Sequence, residues 1–514
     1  MPTVFFYSLP IFVIIVTFLL DRRIVEITRI IIWLSIYSIK WVIAMIKHVY
    51  AVVLLLFIFV TGCEKDEPVK KVEKESQNLT TLKVIADSEE ALAAFRMEED
   101  NIQKKFGIQL EYYFPNRMND NVEDFLFASK ETYDLYILFP GKIPQYVERD
   151  MLLPLDPYIQ SDPSYEEIIP IYRNMYMHYN DHDYGVVYDG DAHFLFYRTD
   201  IFEKYSKEYE EQFGTPLLPP KTWEEYDKIA KFLTRDEDGD GKIDIYGTAT
   251  FTGDAKRYIW FAERYLSMGG KYFDENMNPQ IQSKLGVESL QSWIDLRNSG
   301  ATPPNAMYDW IDLNNVFLQG KVAMVVQWSD TSRFSFDEGK WDSQIANKVD
   351  WTVVPGDDPN SPRGGVWIGR VLGISSETAK QEEAWKVIQY LTSKDVSSKL
   401  VTSLQTINDP YRESHLSLKG KGAFPNEEVQ EKFLSVLEES LAHTNADLML
   451  PGGWEYMQAL DEKIGLALIG QLTAQEALDQ TAIEWNRITE SYGREQQKIY
   501  YQKWLAKLEE VSNR

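Results

Sequence analysis

Cysteine is almost absent from the chain: Cys63 is the only one among 514 residues. No internal disulfide can form, so the stability of the folded domains must come from their hydrophobic cores. Histidine is also scarce, with 6 residues, and the sequence contains no G-x-S-x-G, H-E-x-x-H or P-loop motif. These absences argue against the commonest serine hydrolases, zinc proteases and nucleotide-dependent enzymes.

Basic residues are under-represented. The chain has 53 lysines and arginines against 79 aspartates and glutamates, a formal net charge of −26 at pH 7. Such an acidic surface disfavours nucleic acid and anionic ligands as partners. Aromatic residues, in contrast, make up 13 % of the chain and include 14 tryptophans. Most aromatic side chains belong to cores, but this composition also provides the means to line a sugar-binding cleft.

The cysteine ends a hydrophobic run near the start of the chain. Lys47 provides a short positive segment, residues 49–60 an apolar run of signal-peptide length, and Val60-Thr61-Gly62-Cys63 the small residues that precede a cleavage point. This pattern resembles the lipobox of bacterial lipoproteins, which implies that Cys63 carries a diacylglycerol and becomes the new N-terminus. The alternative is a hydrophobic helix with an incidental cysteine. Under the lipoprotein interpretation, the chain after Cys63 lies outside the cytoplasmic membrane.

Residues 1–44 do not fit a lipoprotein. They contain two apolar runs, the first barely long enough to span a bilayer and the second broken by charged residues. Because a signal peptide must be N-terminal, we expect translation to start at Met45, with residues 1–44 a misassigned start or, alternatively, membrane segments. Residues 45–62 then form the signal peptide, and the charged stretch 63–80 forms a flexible tether.

Beyond the tether, strand-like runs alternate with a helical pattern. Residues 82–86, 109–114 and 133–139 predict buried strands, and the apolar spacing over residues 89–106 predicts a helix. This alternation predicts an α/β fold with an open, largely parallel sheet, which binds ligands beyond the carboxyl ends of its strands. The loop residues at these ends are Asp87, Ser88, Asn116, Arg117, Pro140 and Gly141.

A succession of short segments resembles one protein family. Residues 143–159 read IPQYVERDMLLPLDPYI, and residues 317–324 read FLQGKVAM. The other matching segments are residues 188–200 (YDGDAHFLFYRTD), residues 220–226 (PKTWEEY) and Trp328. In kind and order these segments are similar to extracellular solute-binding proteins family 1, the maltose-binding-protein-like receptors of ABC importers. The resemblance covers residues 82–488.

The resemblance implies a two-lobed α/β fold of the periplasmic-binding-protein type (type II), with a hinge and a cleft between the lobes. The chain is expected to cross between the lobes near residues 194–197, 322–327 and 366–373. Lobe 1 is then expected to comprise residues 81–193 with 328–366, and lobe 2 residues 197–324 with 373–514. A ligand in the cleft would contact both lobes and stabilise the closed form.

Three tryptophans are candidates for the cleft. In the resembling receptors, an aromatic residue after the AM-containing strand and another at the start of a late helix stack on sugar rings, which implies this role for Trp328 and Trp454. Trp367, in the segment GGVWIGR, is a third candidate by its position. Sugar hydroxyls also need paired donors and acceptors. The candidates for these are Tyr188, Asp189, Asp191, Arg117 and Arg370. For each residue the alternative is packing in the core or hinge, and for Arg370 it is a surface ion pair.

Residues 236–247, DEDGDGKIDIYG, match most of an EF-hand calcium loop. The oxygen ligands at loop positions 1, 3, 5, 7 and 9 are Asp236, Asp238, Asp240, Lys242 through its carbonyl, and Asp244. Gly247 departs from the pattern because it stands at position 12, where a bidentate glutamate is usual, and no exiting helix follows. We expect a structural Ca²⁺ site; the alternative is a solvated acidic turn.

Taken together, the sequence predicts a lipid-anchored, monomeric substrate-binding protein of an ABC importer. It is expected on the outer face of the cytoplasmic membrane, or in the periplasm or outer membrane of a cell that has them. It would bind a carbohydrate and deliver it to the membrane permease, without catalytic residues. The alternative is a secreted carbohydrate-processing enzyme, which needs only two facing carboxylates. A metal cluster of His178, His182, Asp181 and Asp183 and an adhesin role have weaker support.

Overall fold

The computed structural model of the chain describes residues 79–114, 122–128, 131–304, 307–357, 364–418, 422–442 and 444–512. The predictions for residues 1–44, the signal peptide, Cys63, the tether up to residue 78 and Arg117 therefore lie outside the described residues. Within these ranges, no helix combines the length and the apolar character needed to cross a membrane.

Short strands and longer helices alternate along the described chain. The strands are β1 (Thr80–Ile85), β2 (Ile108–Tyr113), β3 (Leu135–Leu138), β4 (His178–Tyr179), β5 (His182–Asp183), β6 (Val186–Asp189), β7 (His193–Arg198), β8 (Tyr246–Ala249), β9 (Val322–Trp328), β10 (Val349–Val353), β11 (Gly364–Val366), β12 (Arg370–Ile374) and β13 (Thr444–Ala446). The first helices are α1 (Ala93–Phe106), α2 (Val122–Ala128), α3 (Ile143–Val147), α4 (Asp156–Ile159), α5 (Pro170–Tyr172), α6 (Thr199–Phe213), α7 (Trp223–Phe232) and α8 (Arg257–Ser267). The later helices are α9 (Lys284–Asn298), α10 (Trp310–Leu318), α11 (Thr331–Phe334), α12 (Gln381–Thr392), α13 (Lys394–Leu400), α14 (Glu427–Ala442), α15 (Gly453–Leu468), α16 (Ala474–Tyr492) and α17 (Arg494–Ser512).

The first sheet has the strand order β2-β1-β3-β12-β6. Its first three strands are parallel, and β12 runs antiparallel to both β3 and β6. Leu82 and Val84 of β1 are fully buried, as expected for a strand covered on its core face. The predicted strands at residues 82–86, 109–114 and 133–139 are confirmed as β1, β2 and β3. The predicted helix is also confirmed, although its first turn is a 3₁₀ turn.

The second sheet has the order β10-β7-β9-β8. Strand β9 is buried along its whole length and lies between β7, to which it is antiparallel, and β8, to which it is parallel. Helices α8, α9, α15 and α16 pack together beside this sheet. The two sheets are the centres of two lobes, which confirms the predicted two-lobed α/β fold.

The places where the chain changes sheets correct one of the three predicted crossings. The first change occurs at residues 190–192, between β6 and β7, next to the predicted crossing at residues 194–197. The chain returns to the first sheet between β10 and β12, in the region of the predicted crossing at residues 366–373. The predicted crossing at residues 322–327 is wrong, because this segment is β9, an inner strand of the second sheet. A short apolar run looks the same in a hinge and in a sheet interior.

The predicted lobe boundaries are wrong over two segments. Strand β10 was expected in lobe 1 but pairs with β7 from Val349–Arg198 to Val353–Phe194, in the second sheet. Strand β12 and helix α12 were expected in or beside lobe 2, but β12 lies in the first sheet and α12 packs on α1 and β6. The chain then passes to the second lobe between α13 and α14, since α14 packs against β10. Strand pairing over such sequence distances leaves no local signal.

Helix starts were predictable where the signal is local. The sequence T-x-x-E predicts a capping box, in which the threonine hydroxyl and the glutamate side chain satisfy each other's backbone N–H groups. Such boxes are present at Thr222 with Glu225, before α7, and at Thr473 with Glu476, before α16. The charged C-terminal segment forms α17.

Candidate ligand-binding site

A cavity lies where the two sheets come together. Its lining comes from the loop after β1, the crossing after β6, the end of β9, the first residue of α10 and the start of β12. The lining residues are Ser88, Glu90, Asp191, Lys256, Trp310, Trp328, Asp330, Ile368, Arg370 and Ile407. The space between these residues is narrow: about 370 Å³ is not filled by atoms, part of it open solvent, and only about 20 Å³ of it can hold the centre of a water-sized sphere. Residues of both lobes thus face one small space, at the ends of strands where α/β folds bind ligands.

Two tryptophans form the aromatic part of the wall. Trp328 is only 3 % exposed, and its indole Nε1 donates a hydrogen bond to the backbone oxygen of Trp367 at 2.9 Å. Its ring packs edge-on against His193 and Trp260, with centroid distances of 4.7 and 5.3 Å. Trp310, the first residue of α10, is also buried. Because these contacts fix the rings, they present rigid apolar surface to the cavity.

Arg370 is held by two carboxylates from the first lobe. Its Nη1 lies 3.1 Å from Asp189 Oδ2, and its Nη2 lies 3.2 Å from Asp87 Oδ2. Burial opposes the charge on the guanidinium, but Asp87 and Asp189 overcome it and raise the pKa of Arg370. Burial likewise opposes the charge on Asp87, and Arg370 overcomes it and lowers the pKa of Asp87. The charge of Arg370 is therefore neutralised within the protein.

A second buried ion pair lies behind this one. Arg333 Nη2 donates to Asp409 Oδ1 at 2.8 Å, and the hydroxyl of Ser329 donates to the same carboxylate. The backbone N–H of Asp409 donates to Asp189 Oδ1 at 2.8 Å. This network ties the segment after β9 to the crossing after β6, which fixes the part of the cavity wall that carries the acids.

Asp191 and Asp330 are two acids of the wall that form no ion pair within the described chain. Both side chains are buried, at 5 % and 3 % exposure, and Asp330 Oδ1 has no hydrogen-bond partner among the described residues. The side-chain carboxyl of Asp191 likewise accepts no hydrogen bond from the described part of the chain, although its backbone oxygen accepts one from the Tyr172 hydroxyl at 3.3 Å. Burial, reinforced by the neighbouring carboxylates, raises the pKa of both groups well above the ordinary range. Two buried carboxyl groups thus face the cavity without a partner.

Lys256 is the one lining residue whose positive charge no carboxylate of the described chain pairs directly. Its Nζ lies 4.7 Å from the ring centroid of Phe139. Burial lowers the pKa of Lys256 to about 8, and Asp87 and Asp191 offset this in part. The wall therefore offers donors as well as acceptors to a ligand.

The backbone at Ile368 is strained. Its φ of +65° is one that a β-branched residue rarely adopts. The N–H of Ile368 donates to Asp447 Oδ2 at 2.8 Å, and Tyr258 Oη donates to the other oxygen at 3.1 Å. Asp447 thus holds the strained residue in the cavity wall. Such strain is characteristic of sites whose geometry is fixed for a ligand.

Residues 104–397, more than half of the chain, match the sequence model of a family described as bacterial extracellular solute-binding protein. The chain belongs to this family of bacterial extracellular solute-binding proteins. The predicted resemblance is confirmed.

Solved structures of solute-binding proteins share the fold. One from Agrobacterium radiobacter K84, in complex with ribitol, is 22 % identical with a TM-score of 0.67 and covers 80 % of this chain and 98 % of its own. One from Thermotoga lettingae, bound with α-D-tagatose, has the same identity and TM-score and covers 80 % and 99 %. Maltose-bound MalE3 of T. maritima is 20 % identical, with a TM-score of 0.66, and covers 80 % and 100 %. At these identities the likeness shows the fold alone.

Sequence relatives match the chain over shorter stretches than the solved structures do. A probable amino-acid ABC transporter periplasmic-binding protein of Sinorhizobium fredii is 22 % identical over 35 % of this chain and 38 % of its own. A putative binding protein of Brucella abortus is 22 % identical over 52 % of this chain and 60 % of its own. The chain thus spans less than two thirds of the length of these solute-binding relatives.

The structure brings three of the predicted ligand residues of this solute-binding protein together. Trp328, Asp191 and Arg370 all line the cavity. Asp189 does not line the cavity but forms an ion pair with Arg370, which does. Arg117 lies outside the described residues.

The other three predicted residues do not line the cavity. Tyr188 is a core residue whose hydroxyl donates to the backbone oxygen of Ala91 at 3.0 Å. Trp367 is fully buried and reaches the site only through the backbone oxygen that Trp328 contacts. Trp454 stacks on Phe139, at a centroid distance of 6.5 Å, and faces a separate open groove beside α15 and α16.

Several lining residues were not predicted from the sequence. Asp330 follows Trp328 by two residues, so the rule that ligands bind at strand ends, applied to β9 as it was to β1, would have found it. Lys256, Trp310 and Ile407 come from three distant segments that carry no local signal. Only the folded chain brings them together.

The acidic loop gathers three of its predicted calcium ligands. Carboxylate oxygens of Asp236, Asp238 and Asp244 lie within 4.8 Å of one another, exposed to solvent. Asp240 instead forms an ion pair with Lys242 at 2.9 Å. Gly247 cannot carry the missing side chain of position 12, because a Cβ there would lie 1.7 Å from the backbone oxygen of Ala230. The loop therefore fits a hard cation only with water completing the coordination.

The two histidines considered as metal ligands point to different carboxylates. His178 Nδ1 lies 3.1 Å from Asp183 Oδ1, whereas His182 Nδ1 lies 3.2 Å from Asp156 Oδ2. Within the described ranges, the side chains around Asp236 are the only group of three or more metal-ligating residues that gathers. A metal cluster at the histidines therefore has no structural support.

Proposed function

We propose that this solute-binding protein captures a carbohydrate in the cavity between its lobes and delivers it to the permease of an ABC importer. The observation that carries the proposal is the pairing of fixed tryptophans, Trp328 and Trp310, with buried polar groups around one small cavity. The ligands bound by three proteins of the same fold, ribitol, α-D-tagatose and maltose, support a polyhydroxylated ligand.

The recognition follows from the chemistry of a sugar ring. Its C–H face is apolar and packs on an indole, whereas its hydroxyls need hydrogen-bond partners when they leave water. Ser88, Asp191, Asp330 and Lys256 supply acceptors and donors along the wall. Because the wall combines residues of both lobes, a bound sugar stabilises the closed form over the open one.

Isothermal titration calorimetry with mono- and disaccharides, sugar alcohols and amino acids tests the ligand class. Saturable binding of a sugar or sugar alcohol is the expected result. The relative from Sinorhizobium fredii is named as an amino-acid binding protein, so amino acids are the main competing class. Binding of amino acids without any carbohydrate would remove the proposal.

Catalysis is the second function to be tested, since two carboxyl groups that face one cavity are also what a glycosidase needs. We propose that the chain leaves its ligand unchanged, as a solute-binding protein does. Incubation with labelled oligosaccharides, followed by chromatography, is expected to return them intact. Release of shorter sugars at a rate that Asp191→Asn or Asp330→Asn abolishes would establish the enzyme instead.

Membrane attachment is proposed to occur through a lipid on Cys63. The sequence features that support it are the apolar run and the small residues before the sole cysteine. Mass spectrometry of the protein from its native membrane is expected to find a diacylglyceryl cysteine at the N-terminus. When the protein is not bound to the permease, it is expected to be a monomer. Peptides from residues 1–44 in the mature protein would contradict the predicted start and the anchor.

We also propose a weak structural Ca²⁺ site in the loop of Asp236, Asp238 and Asp244, completed by the carbonyl of Lys242, with Asp240 released from its lysine. Calorimetry with CaCl₂ is expected to give a dissociation constant of roughly 10⁻⁴–10⁻³ M, as in extracellular modules. Asp236→Asn should abolish this binding. The matched control is Asp274→Asn, since Asp274 is another exposed acid that accepts turn N–H groups, from Asn276 and Asn278. Equal heats from both variants would mean that the loop binds no calcium.

A further inference from the structure

Resting on the proposed function, we infer that the carbohydrate of this site is an amino sugar, whose protonated amine is held by Asp191 and Asp330. The cavity wall favours such a ligand because the protein neutralises some of the wall's charges and leaves others without a partner.

The arginines near the cavity are already used by the protein. Arg370 is shared between Asp87 and Asp189, so this group of three carries one net negative charge. Arg333 and Asp409 neutralise each other. Neither arginine is free to balance an acid that faces the cavity.

The acids that face the cavity therefore exceed the available cations. Asp191, Asp330 and Glu90 all line it, and Lys256 is the single lining cation that is not already paired within the described chain. With every group ionised, the wall and the residues just behind it carry a surplus of negative charge. A ligand that brings a positive charge reduces this surplus, whereas a uronic acid or a sugar phosphate increases it.

Because the unpaired acids are buried, the excess of negative charge favours a positively charged ligand group over a neutral one. Asp191 and Asp330 are more than nine-tenths buried, and Asp330 Oδ1 meets no hydrogen-bond donor in the described chain. Ionised carboxylates in such surroundings are costly unless a partner arrives, so in the empty protein they retain protons. An ammonium group supplies the partner and displaces those protons. A neutral hydroxyl can bond to the protonated acids but gains no charge-assisted bond.

The rest of the wall favours a sugar amine over a linear amine or a metal ion. Trp328 and Trp310 provide flat apolar surface for a ring, and an ammonium group beside an indole gains a cation–π contribution. A metal ion would not use these aromatic faces, and a linear amine would cover less of them than a ring does.

Calorimetry at pH 6.5 with matched sugars tests the inference directly. The pairs are glucosamine with glucose, galactosamine with galactose, and mannosamine with mannose, which differ only in the amine; N-acetylglucosamine and glucuronate are added as uncharged and anionic controls. In at least one pair the amino sugar should bind about tenfold tighter or more, as expected for a charge-assisted bond. Glucuronate should not bind.

Two further measurements separate charge recognition from shape. Titrations in buffers of different ionisation enthalpy should show proton release on binding of the amino sugar but not of its neutral partner. Asp330→Asn should remove the preference for the amine, so that the amino sugar and its neutral partner bind with similar affinities, and circular dichroism checks that the variant is folded. If the variant does not fold, proton release on binding to the unmodified protein still tests whether the site recognises the charge of the amine.

Different results would contradict the amino-sugar inference and the proposed function. Equal or tighter binding of every neutral sugar, or amine binding without proton release, overturns the amino-sugar inference and leaves carbohydrate capture intact. If no carbohydrate of either kind binds, or if only putrescine or an amino acid does, both fall together.

Discussion

The tryptophan at the end of β9 is the residue on which ligand binding most depends. Trp328→Leu keeps an apolar side chain but removes the flat aromatic face and the hydrogen bond to Trp367. We expect the affinity for the sugar to fall about tenfold, since an aromatic contact contributes roughly 0.5–1.5 kcal/mol beyond its buried area. Calorimetry measures the affinity, and urea denaturation measures the accompanying loss of stability.

Trp385→Leu is the matched control for this change. Trp385 is 7 % exposed and stacks on Tyr158 at a centroid distance of 4.9 Å, in α12 and away from the cavity. Both variants should lose roughly 2–4 kcal/mol of unfolding free energy, as large-to-small changes in a core do. Only Trp328→Leu should lose affinity. Equal affinities in the two variants would show that Trp328 is a core residue and not a binding residue.

Asp447 makes the stability of the protein depend on pH. Burial raises its pKa to about 6, whereas the unfolded chain has a value of about 3.9. The folded state therefore binds the proton more tightly, so this residue destabilises the fold progressively as pH rises from 4 to 6, and not further above that. Two pKa units correspond to roughly 3 kcal/mol.

Urea denaturation at pH 4, 5, 6 and 7 measures this contribution in Asp447→Asn. The amide has no proton to lose, so the stability of the variant relative to the unmodified protein should rise between pH 4 and pH 6 and then level. Other buried acids, such as Asp189, contribute equally to both proteins and cancel in the comparison. A difference that stays constant across this range would mean that Asp447 is ionised throughout.

Among the elements, the crossing between β6 and β7 leaves no room for a side chain at Gly190. A Cβ on Gly190 would lie 2.3 Å from the backbone oxygen of Pro410. Gly190→Ala should therefore force the crossing and the segment of Pro410 apart, at roughly 3 kcal/mol, the upper end of overpacking costs. Because Asp191 is the next residue, sugar affinity should fall as well.

Gly470→Ala is the control for backbone strain without a clash. Gly470 has a φ of +77°, and a Cβ there would meet nothing within 4 Å. Its substitution should cost about 1–2 kcal/mol, the usual price of a left-handed alanine, and leave the affinity unchanged. A normal affinity in Gly190→Ala, measured by the same titration, would show that the crossing does not position the binding site.

The elements also show what a sequence can and cannot reveal. The capping boxes at Thr222 and Thr473 were predictable because both partners lie within four residues. The sheet membership of β10 and β12 was not, because β10 pairs with β7 about 150 residues earlier. The same limit applies to the site. Trp328 was predicted from the family resemblance, and Asp191 and Arg370 as polar partners for sugar hydroxyls, whereas Lys256 and Trp310 enter the cavity through tertiary folding alone.

For the whole molecule, the cavity between two sheets implies that binding and closure are coupled. The lining comes from both lobes, so a ligand that contacts all of it favours the closed arrangement. Small-angle X-ray scattering is expected to show a smaller radius of gyration with saturating sugar than without. Trp328→Leu, measured at the same sugar concentration, should show less of this change. An unchanged radius at full saturation would mean that the ligand binds without moving the lobes.

The central claim is that a carbohydrate binds in this cavity, and calorimetric titration of the full protein with a panel of sugars, sugar alcohols and amino acids tests it most directly. We expect saturable binding of at least one carbohydrate, weakened about tenfold by Trp328→Leu and unaffected by Trp385→Leu. At a hundred times its dissociation constant, that ligand should also add roughly 2.7 kcal/mol to the unfolding free energy. Binding of an amino acid without any carbohydrate, or equal binding of a carbohydrate to both tryptophan variants, would show that the cavity is not a carbohydrate site.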